Sequence, residues 1–340
     1  MSASAVTACA ARHWRIAGRV QGVGFRPFVY RLAHEHGLGG WVRNCGGEVE
    51  IHAEGTQESL QAFGEALLAR APPAARPHLL EAHETSPRAL ADFSVRASAA
   101  SAQPRVHVPP DLFACDQCLG ELTDSRTRRF RYPFINCTQC GPRYTIIESL
   151  PYDRANTSMA CFALCPACAA EYAEPLDRRF HAEPLACAAC GPTLRWQAAG
   201  RLAGNAPALA AAVAALRAGQ IVAVRGIGGY HLCCDATHER AVTLLRERKR
   251  RPGKPFAVMV PWCGSDGLAA ARALAELSAQ EAAALCDPTR PIVLVRRRAD
   301  AVLAAAIAPG LAELGLMLPY SPLHHLLLTD FGGALVATSC

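Results

Sequence analysis

Between residues 13 and 97 the apolar positions switch between two spacings, strict alternation in some stretches and recurrence every three or four residues in others. Alternation lays one face of a strand on a core, whereas the wider spacing gives a helix an apolar stripe. HWRIAGRV (13–20) alternates and predicts a strand, and PFVYRLAHEHG (27–37) opens on proline and closes on glycine around a helical spacing. WVRN (41–44) and VEIHAEG (49–55) flank a Gly-Gly pair, the signal of a hairpin. TQESLQAFGEALLAR (56–70) is an amphipathic helix with Thr56 as its cap and Glu58 and Ser59 in its first turn. LLEAHET and FSVRA supply closing strands. The order is βαββαβ, the ferredoxin-like split arrangement, and an α+β class follows for this part.

From Asn205 to Cys340 helical stripes alternate with short apolar runs. APALAAAVAALRAGQ reads as a helix ended at Gly219, IVAV as a buried strand, HERAVTLLRERKR as an amphipathic helix, and FAVMV and PIVLV as further strands. This part is expected to be α/β. The segment VRGIGGYHLCCDA has glycines after a strand but neither GxGxxG nor a P-loop Gly-Lys-Ser/Thr, so standard dinucleotide and P-loop sites are poor fits and a turn is the simple account.

At 340 residues and 51% hydrophobic content the chain supports two to four domains. The N-terminus lacks the basic start and apolar core of a secretory signal, and the Ala/Leu runs are too weakly apolar to span a bilayer. A soluble, cytoplasmic protein with no membrane association is expected. The net charge of +6 favours anionic partners slightly without choosing between small molecules and nucleic acid.

The 16 cysteines change the picture more. Cys115, Cys118, Cys137 and Cys140 form one pair of CxxC knuckles, and Cys165, Cys168, Cys187 and Cys190 repeat it fifty residues on. The repeat extends to Arg129-Phe130 against Arg179-Phe180 and to the Cys-Gly-Pro triplets at 140 and 190. Two knuckles complete a tetrahedral sulfur shell, so two structural zinc ions are expected, with no ligand position open for catalysis. A disulfide framework or redox CxxC pairs are the alternatives. Cys161 and His181 have no counterpart in the first set, and His324-His325 and Cys233-Cys234 have no partner knuckle, so all are read as outside the metal sites. Ribbons of this kind also touch nucleic acid, and Arg126, Arg128, Arg129 and Arg131 between the knuckles keep a non-catalytic RNA-binding module open as a second function.

VQGVGFRPF (20–28) lies between the first strand and first helix. Backbone amides of Gln21, Gly22, Val23, Gly24, Phe25 and Arg26 near a helix N-terminus, with one guanidinium, suit an anion, although a Gly-rich turn is also an ordinary strand-to-helix connection. GRVQGVGFR followed by GWVRNCGGEVE resembles the acylphosphatase signature. That resemblance implies that Arg26 holds a phosphoryl group and that Asn44 positions the attacking water.

RERKRRPGKPFAVMV resembles the Lys-x-Arg-Pro segment of the YrdC family, and GGYHLCCDA and LPYSPLHHLLL with the terminal ATSC resemble its neighbouring motifs. The usual Thr-Glu pair is absent, and the Asn expected after Ser/Thr is not among these residues. The resemblance implies ATP-phosphate contacts by Lys249 and Arg251, with Lys254, Thr338 and Ser339 as further contacts.

Acylphosphatase-like residues 10–98, ribbons at 108–150 and 158–198, and a YrdC-like region at 204–340 follow the order of the HypF family of NiFe hydrogenase maturation. Membership would imply hydrolysis of carbamoyl phosphate, formation of carbamoyl-adenylate with ATP and magnesium, and carbamoyl transfer to HypE. RNA association known among YrdC relatives adds double-stranded RNA as a partner. The domain that performs the final transfer is not among these residues, which suggests a truncated YrdC-like region and a fragment of a longer protein.

Overall fold

The computed structural model describes residues 9–99, 109–150, 152–198 and 200–340. Residue 108, the expected start of the first ribbon, lies outside the described residues. The chain divides into two compact units, Met1–Pro110 with Asn136–Leu185, and Asp111–Ile135 with Ala186–Cys340.

The first unit is built on β1 (Ala10–Arg19), α1 (Phe25–Glu35), β2 (Gly39–Cys45), β3 (Glu48–Gly55), α2 (Gln57–Ala69), β4 (Arg76–Thr85) and β5 (Phe93–Val95). Its sheet runs β4-β1-β3-β2-β5, antiparallel except for the β2–β5 pair. The βαββαβ order of the sequence is present, with β5 as an added parallel edge. Gly46 and Gly47 turn β2 into β3 with φ of 58° and 102°, a left-handed pair that glycine adopts without a Cβ clash. Thr56 caps α2 by accepting from the Ser59 N–H at 3.1 Å. The helices cover one face of the sheet, where Ile16, Val29, Val49, Ile51, Leu60 and Phe63 are fully buried and Trp14 meets Phe63 edge-on at 5.4 Å. Burying several such side chains at about 1.5–3 kcal/mol each is what fixes both helices on the sheet.

Two short helices, α3 (Asp116–Thr123) and α4 (Pro166–Ala173), stand fifty residues apart, each starting directly after the first cysteine of a repeat. The buried Arg129 donates from Nε to the Ala186 carbonyl at 2.9 Å, and its counterpart Arg179 donates from Nε to the Asn136 carbonyl at 3.2 Å. Asn136 and Ala186 are themselves fifty residues apart, so the two repeats exchange equivalent hydrogen bonds.

The second unit continues through β6 (Arg195–Gln197), β7 (Arg201–Ala203), α5 (Asn205–Arg217), β8 (Val222–Gly226), β9 (Gly229–Asp235), α6 (Glu239–Arg248), β10 (Ala257–Met259), α7 (Ala269–Leu274), β11 (Ala275–Glu276), α8 (Ala279–Cys286), β12 (Val293–Arg297), β13 (Glu313–Met317), α9 (Pro322–Phe331) and β14 (Leu335–Ser339). Its seven-stranded sheet has the order β11-β12-β13-β10-β14-β9-β8 and is mixed, with β10 and β13 parallel and the other neighbours antiparallel. The glycines of VRGIGGYHL form the turn between β8 and β9. The sequence pattern missed the β6–β7 hairpin and β13; ELGLM is a short, centrally buried strand whose apolar run carries no period. No helix among the described residues is long and apolar enough to cross a membrane.

Candidate active site and cysteine clusters

The loop between β1 and α1 is shaped by two glycines in the left-handed region, Gly22 at φ 65° and Gly24 at φ 72°, the latter forming the N-cap of α1. A Cβ on Gly24 would lie 2.7 Å from Gln139 Nε2, and one on Gly22 would lie 2.8 Å from Pro109 Cγ. Both positions therefore need glycine for backbone conformation and for close approach. Arg143 donates to the Gly22 carbonyl from Nε and to the Cys137 and Thr138 carbonyls at 2.9 and 3.1 Å, which ties the loop to the cysteine-repeat segment.

Arg26 is buried in the first turn of α1, and Asn44 is buried on β2. With its oxygen toward the guanidinium, the Asn44 carboxamide accepts from Arg26 Nε at 3.2 Å and from Nη2 at 3.3 Å. The reverse orientation would set amide N–H groups against guanidinium N–H groups. The two residues singled out by sequence are thus brought together.

Sequence reasoning missed what faces Arg26. Its Nη2 stands 3.4 Å from Asp153 Oδ1 and 3.5 Å from Glu183 Oε1. Glu183 is 2% exposed, and its Oε2 accepts from the Tyr172 hydroxyl and from the Arg154 N–H, both at 2.8 Å. Burial pushes the Glu183 carboxyl above its ordinary range, while Arg26 and the Tyr172 hydrogen bond oppose that shift. His181 is pulled down to about 4 by burial, with Arg26 adding to the shift, and is neutral near pH 7. A cavity of about 20 Å³ is lined by Gly22, Gly24, Arg26, Thr138, His181 and Glu183 among others, room for a water-sized group. These neighbours are more than a hundred residues from the loop, and no local motif announces them; the one sequence signal is His181, which stands where the first repeat has Arg131.

Each cysteine set is assembled as its spacing predicts. Within Cys115, Cys118, Cys137 and Cys140, and within Cys165, Cys168, Cys187 and Cys190, the sulfur atoms all lie within 4.8 Å of one another. Cys137 and Cys140 are 3.7 Å apart at sulfur, as are Cys187 and Cys190. A tetrahedron with zinc–sulfur bonds of about 2.3 Å has an edge of about 3.8 Å, so both donor sets fit zinc. Cys161 and His181 belong to neither set.

In the second unit, Lys249 follows α6 and donates to the Ser339 carbonyl, which brings it to the strand that carries Thr338. Arg251 donates to the Lys254 and Pro255 carbonyls at 3.2 and 2.6 Å and lies over the Phe256 ring, while Lys254 is exposed and Thr338 buried. Cys233, Cys234, His324 and His325 are buried, and burial pushes both thiols up to about 12.

Comparison with known proteins places these features in a family. Residues 12–95 match the acylphosphatase family, 114–147 and 164–197 match the HypF finger, and 214–340 match the Sua5/YciO/YrdC family described as telomere recombination. The chain is 51% identical over 326 residues to carbamoyltransferase HypF of Rhodobacter capsulatus, covering 96% of this chain and 42% of that one. It is 48% identical over 329 residues to carbamoyltransferase HypF of Synechocystis, covering 96% and 42%. An acylphosphatase of Thermotoga petrophila is 42% identical over 83 residues, 24% of this chain and 91% of the relative. A crystal structure of full-length HypF in the phosphate- and nucleotide-bound form superposes with a TM-score of 0.91 at 40% identity, covering 99% of this chain and 43% of that one. The chain therefore spans about two-fifths of the length of the HypF relatives it matches. With an acylphosphatase region, paired four-cysteine fingers and a YrdC-like region in that order, it belongs to the HypF carbamoyltransferase family.

Proposed function

We propose that the chain hydrolyses carbamoyl phosphate at the loop of residues 21–26. The observation that carries this reading is the meeting of Arg26 and Asn44, a cation and a neutral carboxamide within hydrogen-bond reach beside a glycine-shaped loop at a helix N-terminus. The phosphoryl group takes the loop amides and Arg26 Nη2, displacing contacts of 3.4 and 3.5 Å that are longer than a charge-assisted bond of about 2.7–2.9 Å. Asn44 orients a water in line with the scissile bond without itself titrating. Water attacks phosphorus, the bridging P–O bond breaks, and carbamate leaves while inorganic phosphate remains on the loop. The guanidinium and amides compensate the charge that shifts to the leaving oxygen.

In the YrdC-like region the carbamate oxygen attacks the α-phosphorus of ATP, releasing pyrophosphate and forming carbamoyl-adenylate. Lys249, Arg251 and Lys254 supply cations for the phosphates, and Thr338 and Ser339 supply hydroxyls from the strand whose Ser339 carbonyl accepts from Lys249. Magnesium accompanies the nucleotide, and HypE accepts the carbamoyl group in the complete pathway. The phosphate- and nucleotide-bound state named for a full-length HypF structure supports both halves. Each four-cysteine set holds one structural zinc ion, since four thiolates leave no position for substrate.

Phosphate release from carbamoyl phosphate, with and without ATP and in the absence of nucleic acid, tests this function. Release in the parent with kcat reduced and KM little changed in Asn44→Ala is the expected result. No release by the parent in either condition refutes the proposal.

A further inference from the structure

Glu183 is a costly residue for a phosphate site. A buried carboxylate facing the cavity repels a phosphoryl dianion, and phosphate transfer by the loop, Arg26 and Asn44 makes no use of it. The group lies outside the acylphosphatase part of the chain: the Thermotoga petrophila relative aligns over 83 residues, 91% of its length, and the acylphosphatase match ends at residue 95. The finger segment adds this group to the site, so its role is sought in what distinguishes carbamoyl phosphate from simpler acyl phosphates.

The difference is an amino group. Carbamoyl phosphate presents two N–H donors where acetyl phosphate has a methyl group. Glu183 is held ready for a donor: Tyr172 and Arg154 engage Oε2 at 2.8 Å each, and this fixes the carboxyl plane. Oε1 has Arg26 Nη2 as its neighbour at 3.5 Å, a contact that the phosphoryl group takes over when it binds. Asp153 also faces Arg26, but its side chain is a third exposed and it does not line the cavity.

We propose that Glu183 Oε1 accepts a hydrogen bond from the carbamoyl amino group and thereby makes the site selective for carbamoyl phosphate over acyl phosphates that lack an N–H donor. An acyl phosphate with a methyl group leaves the buried oxygen unpaired and still carries the repulsion, whereas the amino group offsets both. The inference rests on the hydrolytic function proposed above.

The test compares phosphate release from carbamoyl phosphate and acetyl phosphate by the full chain and by Glu183→Gln. In the variant the carbonyl oxygen takes the place of Oε2 beneath Tyr172 and Arg154, so the amide N–H groups face the substrate donor. The expected result is a fall of at least about tenfold in the ratio of kcat/KM for carbamoyl over acetyl phosphate, with acetyl phosphate hydrolysis unchanged or faster. A parallel loss with both substrates, or no change with either, overturns the selectivity role and leaves the hydrolytic function standing. Activity of the parent on neither substrate overturns both.

A second measurement needs no variant. Phosphonoacetamide keeps the amino group on a non-hydrolysable frame, and acetonylphosphonate replaces it with methyl. Calorimetry on the parent should show the amide binding at least about tenfold more tightly, and equal affinities refute the proposal.

Discussion

The Asn44 carboxamide oxygen lies 3.2 Å from Arg26 Nε, so a residue on β2 and one in the first turn of α1 share a hydrogen bond at the mouth of the glycine loop. This contact fixes the direction of the guanidinium, and it joins two residues whose substitutions should read differently.

Arg26→Ala should lower kcat/KM for carbamoyl phosphate by roughly a hundredfold or more, because it removes the one side-chain cation this reading places on the phosphoryl group. The same change leaves Glu183 buried without its cation, so a loss of stability on the order of 3 kcal/mol should accompany it. Phosphate release and urea unfolding on one preparation separate the two effects. Parent-like turnover in the folded variant would remove Arg26 from the chemistry.

Gly24→Ala should destabilise the loop by about 1–2 kcal/mol from the left-handed backbone alone, with the Gln139 contact adding to it. Urea midpoints at constant m measure this. Gly253→Ala, at a position with open space around it and a negative φ, is the control and should stay within about 0.5 kcal/mol of the parent.

Metal analysis of the purified chain should return about two zinc ions, one for each four-thiolate set. Cys137→Ser and Cys187→Ser should each remove one ion and lower thermal stability, since binding free energy of structural zinc is folding free energy. Retention of both ions in either variant would contradict the assignment.

The pH dependence of stability should carry a signature of His181. Its folded equilibrium lies at about 4 against an ordinary 6.5, so the folded chain binds fewer protons in that interval than the unfolded chain. The contribution is complete above pH 6.5 and is lost as pH falls toward 4. Glu183, shifted upward, acts in the opposite sense by binding a proton more readily when folded. The difference in unfolding free energy between parent and His181→Gln across this interval isolates the histidine. No change of that difference with pH would show that His181 is not held neutral by its surroundings.

The frame of the first unit was legible because its signals are local. Alternation marks β1, the Gly46-Gly47 pair marks the hairpin, and Thr56 marks the start of α2. Arg26 and Asn44 were legible through two short motifs in one resemblance, and the cysteine sets through a spacing repeated at fifty residues. Glu183 was not, because its relation to Arg26 depends on a chain path of 157 residues and on packing that no periodicity encodes. The strand β13 escaped for a different reason, since a five-residue strand in the middle of a sheet has no polar face to alternate with.

The exchange of hydrogen bonds by Arg129 and Arg179 means that the duplicated cysteine motif is not redundant. Each copy lends its arginine to a carbonyl of the other, so excising either copy strips an acceptor from a guanidinium that is only 2 or 3% exposed. The two copies are in this way mutually dependent, and shortening the chain by one finger would damage the finger that remains.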